Sequence, residues 1–587
     1  MESIRRFVRL ARSSGKHVTR RFIVSQLFLV GMVIFSLLIP QMIQTIADEG
    51  IAKQDLDVVA NTALWMILFA FLSALLQILN AGYAVGFAVR VAHALRTRLY
   101  AKIQTLSFGN LDRFQTSDLL IRLTNDVNIF KQMIMLVTAF FFMAPLMLTG
   151  SVVLTWLTTP QLLWIMALVL VVMALVLVLY SSRAQPLYRA MQERLDQLNA
   201  VLQENLAGVR VVKAFARSAH EMERFEGRNN NLKDAAKKPM LLMAFLMPTF
   251  LLIITLGMAA GLWFGGNLAV SQGTVTVGEI MTFANYLVMA MIPLALVAFV
   301  LPQIAAAEAS IARIFAVFDS TPDIQEKPDA RPLPNVKGRV VFQEVSLSYL
   351  GEDGRPSGKP VLKNINLVAE PGQMVAILGA TGSGKSSLIH LIPRFYDVTE
   401  GQVTIDGVDV RDVKLTDLRQ HVGIALQQAI LFSGTVRDNV RYGRPAANED
   451  EVVAVGQAAD AHGFVSAQAD GYDSAVAREG ANFSGGQRQR ISIARALAVK
   501  PKILILDDST SAVDVATETR IQAALGEMLH DTTTFVVAQR ISTVLIADKI
   551  IVLDNGEIVA EGTHDELLGS SPIYQEIYES QLGGLEA

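Results

Sequence analysis

Six stretches of this chain are too long and too apolar to be ordinary strands or short core helices. The run Leu162–Tyr180 contains no charged residue, and it is accompanied by Phe22–Ile46, Asn61–Phe87, Ile129–Trp156, Leu241–Ala269 and Val277–Leu301. Each supplies the ~20 predominantly apolar residues needed to cross a ~30 Å hydrocarbon layer. Six membrane spans are therefore predicted. The first run outlasts the ~7–15-residue core of a secretory leader and lacks a small-x-small cleavage site, so it reads as a span.

Lysine and arginine orient the spans. Arg5, Arg6, Arg9, Arg12, Lys16, Arg20 and Arg21 precede the first span. Further basic residues crowd the stretches Arg90–Asn128 and Arg183–Pro239, whereas the loop Asp48–Asp57 holds one lysine and four acids. Positive charge collects on the cytoplasmic side, which puts both termini and both long charged stretches in the cytoplasm of a multi-pass cell-membrane protein. These stretches keep helical periodicity with one charged face, so the spans are predicted to continue as helices beyond the lipid.

Composition is informative once the halves are separated. Of 587 residues 52% are hydrophobic and 18% charged, against roughly 25% charged in soluble proteins. The net charge of −3 gives no basic field to attract nucleic acid. The absence of cysteine excludes disulfides, thiolate metal sites and a cysteine nucleophile. Pro322, Pro328, Pro332 and Pro334 lie among charges and cannot stay helical. The expected division is a membrane domain over 1–321, a linker over 322–338 and a soluble domain over 339–587.

The soluble half carries phosphate chemistry. Gly379-Ala-Thr381-Gly382-Ser383-Gly384-Lys385-Ser386 follows the apolar strand Met374–Leu378 and opens a helical segment at Ser387. In a strand–glycine loop–helix, backbone N–H groups wrap phosphates, a lysine reaches the β and γ oxygens, and a serine hydroxyl binds Mg²⁺. A second apolar strand, Lys502–Asp507, ends in a carboxylate suited to Mg²⁺. The turn Ser484-Gly485-Gly486-Gln487 before a helical run is a further anion site. One nucleotide has no use for two such sites in one chain, unless two copies of the domain sandwich ATP and each closes the other's site.

In this order the motifs resemble an ABC exporter half: an all-α polytopic membrane domain of six transmembrane helices extending into the cytoplasm, then an α/β P-loop ABC ATPase domain. The resemblance covers nearly the whole chain. It implies that Tyr349 stacks on adenine, and that Gln427 touches Mg²⁺ and links the site to the membrane part. It further implies that Ser484–Gln487 is the signature turn acting on the partner's ATP and that Asp514 belongs to the D-loop. Asp112–Val127 and Glu204–Phe215 match the two cytoplasmic coupling segments. ATP would be held by Tyr349, Gly379, Thr381, Gly382, Ser383, Gly384, Lys385, Ser386, Ser387 and Gln427, and Mg²⁺ by Ser386, Gln427 and Asp507.

Two positions depart from that pattern. The catalytic carboxylate after the strand aspartate is ordinarily Glu and here is Asp508, one methylene shorter. The switch histidine is here Gln539, which donates a hydrogen bond but cannot titrate. Together they suggest a site that binds ATP and hydrolyses it slowly, like the degenerate subunit of a heterodimeric exporter whose partner carries Glu and His there. Smaller departures are Leu426 where the family has Pro, Arg478-Glu479 ahead of the signature, and the longer Leu350–Pro360, which reads as a hairpin loop.

Few ionisable residues fall in the spans, while Gln41, Gln44, Gln77, Asn80 and Asn285 supply amides, and Met133, Met135 and Phe140–Phe142 supply bulk. If these line a cavity, an apolar or amphipathic cargo such as a drug, lipid or peptide suits it better than an ion. The alternatives are a homodimeric lipid or glycolipid flippase and an ATP-binding regulatory membrane protein that does not pump.

Overall fold

A computed structural model describes residues 16–351, 355–356, 358–528, 530–538 and 540–582. They form two compact units. One takes in the described residues up to Gln104 together with Ser117–Asp319; the other joins Thr105–Thr116 to the residues from Ser320 onward.

The first unit is helical. Among the described residues, five helical stretches are long and apolar enough to cross a membrane: Val18–Ile51, Leu56–Gln104, Thr116–Thr158, Pro160–Ala207 and Ser218–Gln272. The apolar stretch Val277–Met291 opens a sixth long helix, Val277–Asp319. The 49 residues of Leu56–Gln104 rise about 70 Å at ~1.5 Å each, more than twice a hydrocarbon layer, so the helices outrun the lipid as expected. Within the helix Leu163–Ala207, Ile165, Met166, Val169 and Met173 are buried while Leu168, Val171, Leu175 and Val178 are exposed. The charge-free run thus packs one helical face and leaves the other for lipid.

Polar groups in this unit are spent on helix packing. Pro40 interrupts the helix Lys16–Thr45. Two hydroxyls from the sixth helix serve that turn: Thr282 Oγ1 donates to the Pro40 carbonyl at 2.9 Å and Tyr286 Oη to the Leu37 carbonyl at 3.0 Å. Pro40 has no N–H for the Ser36 carbonyl, and the two hydroxyls tie neighbouring carbonyls of that turn to the sixth helix. Asn80 accepts from Ser25 Oγ at 2.6 Å and is buried, so this amide joins two helices. Asp126 is fully buried and receives the Arg313 guanidinium on both carboxylate oxygens, Nε at 3.0 Å from Oδ2. The pair is asymmetric: losing Arg313 would leave a buried carboxylate unpaired, whereas Arg313 itself is about half exposed.

The second unit is built on a six-stranded sheet. Its order is Glu557–Gly562, Lys549–Asp554, Met374–Leu378, Thr533–Val537, Ile503–Asp507, Val422–Ala425, parallel except for the first pair. Every residue of Ile503–Asp507 is buried, the pattern of a parallel strand covered on both faces. An antiparallel sheet of Leu362–Ala369, Val340–Leu347, Glu400–Ile405 and Val408–Asp409 lies in the same unit. A helical lobe is cored by Leu431, Val436, Val452, Val465, Ile491 and Ile493. The expected hairpin after Tyr349 is present: Leu350 bridges Pro356 antiparallel, and Gly351 N donates to the Arg355 carbonyl at 2.8 Å.

The second unit takes in Thr105–Thr116, which overlaps the expected first coupling segment Asp112–Val127 at its start. The residues ahead of Asp112 pack within this unit. Phe108 lies flat on Phe395 with centroids 4.0 Å apart, and Asn110 Nδ2 donates to the Thr321 carbonyl at 3.0 Å. The second segment forms a short helix, Val209–Ala214, in the membrane unit, with Leu206, Val211 and Phe215 exposed.

Candidate functional site

The parallel strands Met374–Leu378, Thr533–Val537 and Ile503–Asp507 run side by side, so the loops leaving them meet at one edge. The carboxyl edge of an open α/β sheet is where ligands bind. The loop after Met374–Leu378 has left-handed backbone at Gly379, Gly382 and Gly384. A Cβ on Gly379 would run into the Leu553 carbonyl, whereas one on Gly382 would meet nothing within 4 Å. The first glycine is therefore demanded by packing and the second leaves open space for a ligand. Thr381 is exposed beside it, and Ser383 Oγ is buried without a partner.

Lys385 Nζ folds over the loop onto the Gly379 and Ala380 carbonyls, both at 2.8 Å. Burial pushes its ammonium down, against the pull of Asp508 and Asp507. Ser386 Oγ donates to Asp507 Oδ1 at 2.9 Å. A hydroxyl and a carboxylate on one spot are hard oxygen donors, and they fit a Mg²⁺ that keeps water and phosphate as its other ligands. Gln427 Nε2 donates to Asp508 Oδ2 at 3.2 Å. Tyr349 Oη and Ser387 Oγ are 2.7 Å apart. The expected loop, metal and Q-loop residues thus come together at one edge.

Asp508 is buried and has φ 47°, a left-handed conformation in which Asp is enriched among non-glycine residues. Burial pushes its carboxyl up from the ordinary range, the Gln427 hydrogen bond opposes this, and Asp507 adds to it. Gln539 lies outside the described residues.

Ser484–Gln487 forms a separate feature. Ser484 caps the helix Gly485–Ala498: its Oγ accepts from Gln487 N at 3.3 Å, and its own N–H donates to Gln487 Oε1 at 2.9 Å. Gly486 leaves no room for a Cβ against the Ala512 carbonyl. Asp514 caps the next helix through Thr517 N at 2.9 Å.

Sequence reasoning missed the groups that tie these loops together. Gln489 donates to Ser511 Oγ at 3.2 Å and accepts from Ala512 N at 3.0 Å, joining the signature helix to the D-loop. Arg540 donates to the Val513 carbonyl at 2.9 Å and pairs with buried Glu518 at 3.1 Å. His390 Nε2 stands 3.6 Å from Asp507.

Two family descriptions match the chain: the ABC transporter transmembrane region over residues 22–294 and ABC transporter over residues 362–511. A Bacillus subtilis (strain 168) protein named "Uncharacterized ABC transporter ATP-binding protein YfiB" is 37% identical over 544 residues, 93% of each chain. The chain belongs to the ABC transporter family. A further family member, the "ATP-dependent lipid A-core flippase" of Syntrophus aciditrophicus (strain SB), is 36% identical over 492 residues, 84% of this chain and 80% of that one. Among solved ABC transporters, a bacterial Atm1-family exporter with ATP bound superposes with a TM-score of 0.80 at 27% identity, over 96% of this chain and 98% of that one. The protein is thus a multi-pass ABC exporter chain whose ATPase domain is cytoplasmic.

Proposed function

We propose that this chain is the degenerate-site half of a heterodimeric ABC exporter that moves an amphipathic or apolar cargo out of the cytoplasm. Its membrane domain spans 1–321, its linker 322–338 and its ATPase domain 339–587. The single observation that carries the reading is the contrast between an intact binding apparatus and a weakened catalytic pair. Lys385, Ser386, Asp507, Gln427 and the capped Ser484 turn have family identity and consistent geometry. Asp508 and Gln539 do not have the family's identity.

The roles are those the family resemblance implies. The backbone N–H groups of Gly379–Gly384 and Lys385 would hold the phosphates, Tyr349 would stack on the base, and Ser386, Asp507 and Gln427 would hold Mg²⁺, which neutralises phosphate charge when bound. Asp508, short of the attacking water and hydrogen-bonded to Gln427, orients that water poorly, and orientation is most of what a protein contributes to phosphoryl transfer. Ser484–Gln487 closes the partner's site, where Glu and His complete the chemistry. Closure turns the cavity outward and hydrolysis at the partner's site resets it.

The kinship with a lipid A-core flippase supports a lipid-like cargo over an ion. A tagged copy purified from its native membrane tests the pairing. The expected result is a second half-transporter in equal amount, carrying Glu and His at these positions; recovery of this chain alone, as a self-pair, would overturn it.

A further inference from the structure

The helix Lys385–His390 begins at the phosphate loop and carries Ser386 and His390 one turn apart. Residues four apart share a helix face, and both of these reach the same carboxylate. Ser386 Oγ donates to Asp507 Oδ1 at 2.9 Å, and His390 Nε2 stands 3.6 Å from Asp507 Oδ2. Among the described residues no other carboxylate lies within 4.0 Å of that imidazole.

The second contact is incomplete. A separation of 3.6 Å is beyond a hydrogen bond, and His390 Nε2 is buried with no partner. Buried polar atoms are nearly always satisfied, and one left unpaired is destabilising. The ring is held in an aromatic slot. It lies near-parallel to Tyr396, centroids 6.3 Å apart at 27°, and tilted against Phe395 at 5.6 Å. Both walls are themselves fixed: Phe395 lies flat on Phe108, and Tyr396 Oη donates to Asp112 Oδ2 at 2.6 Å. A phenylalanine would fill such a slot without an orphan nitrogen, so packing alone does not account for a histidine here. Burial pushes the imidazole below its ordinary pKa, against the pull of Asp507 and Asp112. It is a neutral ring near pH 7 with one N–H to give. With that proton on Nε2, a movement of about 0.6 Å brings it within hydrogen-bond reach of Asp507 Oδ2.

We propose that His390 is a positioning residue for the metal carboxylate. Its Nε2–H serves Asp507 Oδ2 while Ser386 serves Oδ1, so the carboxylate is held at both oxygens and its plane is set for Mg²⁺. Each oxygen keeps a second lone pair for the metal or its water. This rests on the reading of Ser386 and Asp507 as Mg²⁺ ligands. Outer groups that hydrogen-bond a ligating side chain contribute about 10–100-fold to metal affinity. On the same reading the phosphates are held by Gly379–Gly384 and Lys385, so the effect falls on the metal rather than on the nucleotide.

The test uses the full chain in nanodiscs, with Mn²⁺ as the metal probe and trinitrophenyl-ATP as the nucleotide probe. Two quantities are read: analogue affinity in EDTA, and Mn²⁺ affinity of the chain loaded with one analogue per site, from the paramagnetic resonance of free Mn²⁺. His390→Phe keeps the slot filled, so analogue affinity in EDTA stays within about twofold of the parent while Mn²⁺ affinity falls roughly tenfold or more. His390→Gln returns a donor and recovers Mn²⁺ affinity to within about threefold of the parent. A His390→Phe chain that binds Mn²⁺ as tightly as the parent would overturn the proposal. Equal loss of metal-free analogue binding in both variants would overturn it too, by making His390 a packing group. Undiminished Mn²⁺ affinity in Asp507→Asn would instead remove the metal-site reading on which it rests, a separate failure.

Discussion

The two ends of the nucleotide site obey different rules. At the phosphate end, geometry leaves little freedom: Gly379 cannot accept a Cβ beside the Leu553 carbonyl, and Ser386 and Asp507 are hydrogen-bonded to each other. At the hydrolytic end, Asp508 sits in a left-handed turn and hydrogen-bonds Gln427. On the proposed reading, binding and turnover are separable in this chain: it keeps the cradle, the metal ligands and the signature turn, lacks the methylene that places water, and works beside a partner that has it.

The contrast can be broken most forcefully from the signature side. Ser484→Ala removes a hydroxyl presented to the partner's ATP and also a helix cap, itself worth ~1 kcal/mol. ATPase of the two-chain complex should fall at least about tenfold; a loss under twofold would mean the productive site is not the one Ser484 closes. The second perturbation restores what is missing. Asp508→Glu should raise hydrolysis at this chain's own site by several-fold up to about tenfold, read as phosphate release, and no gain would shift the blame to Gln539. The smallest effect belongs to Asp508→Asn, which should leave ATPase of the complex within about twofold.

Asp508→Asn also tests the electrostatics. A carboxyl whose pKa is raised on folding contributes fully below its unfolded pKa, and that contribution is lost as pH rises through the folded value. The amide escapes the loss. The melting temperature of Asp508→Asn should therefore gain on the parent as pH climbs out of the ordinary carboxylate range toward neutrality. A gain on acidification instead would contradict the direction given for Asp508.

What was legible in the sequence was local. The apolar runs announce helices because lipid tolerates no interruption of a span, and Gly379–Ser386 announces itself because strand, loop and helix are contiguous. Asp508 stood out by position alone. The contacts that organise the rest join residues far apart: Tyr396 meets Asp112 across 284 positions and Arg313 meets Asp126 across 187. Periodicity can say that a helix has a polar face but not which partner it finds. The same limit hid Phe108 and Asn110, which became recognisable only once Phe395 and Thr321 were seen beside them. Asn80, one of the amides in the spans, is paired with Ser25.

The most direct test is turnover by the purified chain alone, reconstituted in lipid and saturated with Mg-ATP. Every site it can form with itself contains Asp508 and Gln539, so it should bind ATP yet turn over below about 0.1 s⁻¹, beneath the ~1–10³ s⁻¹ of working enzymes. Sustained hydrolysis at several per second by this single chain would contradict the account.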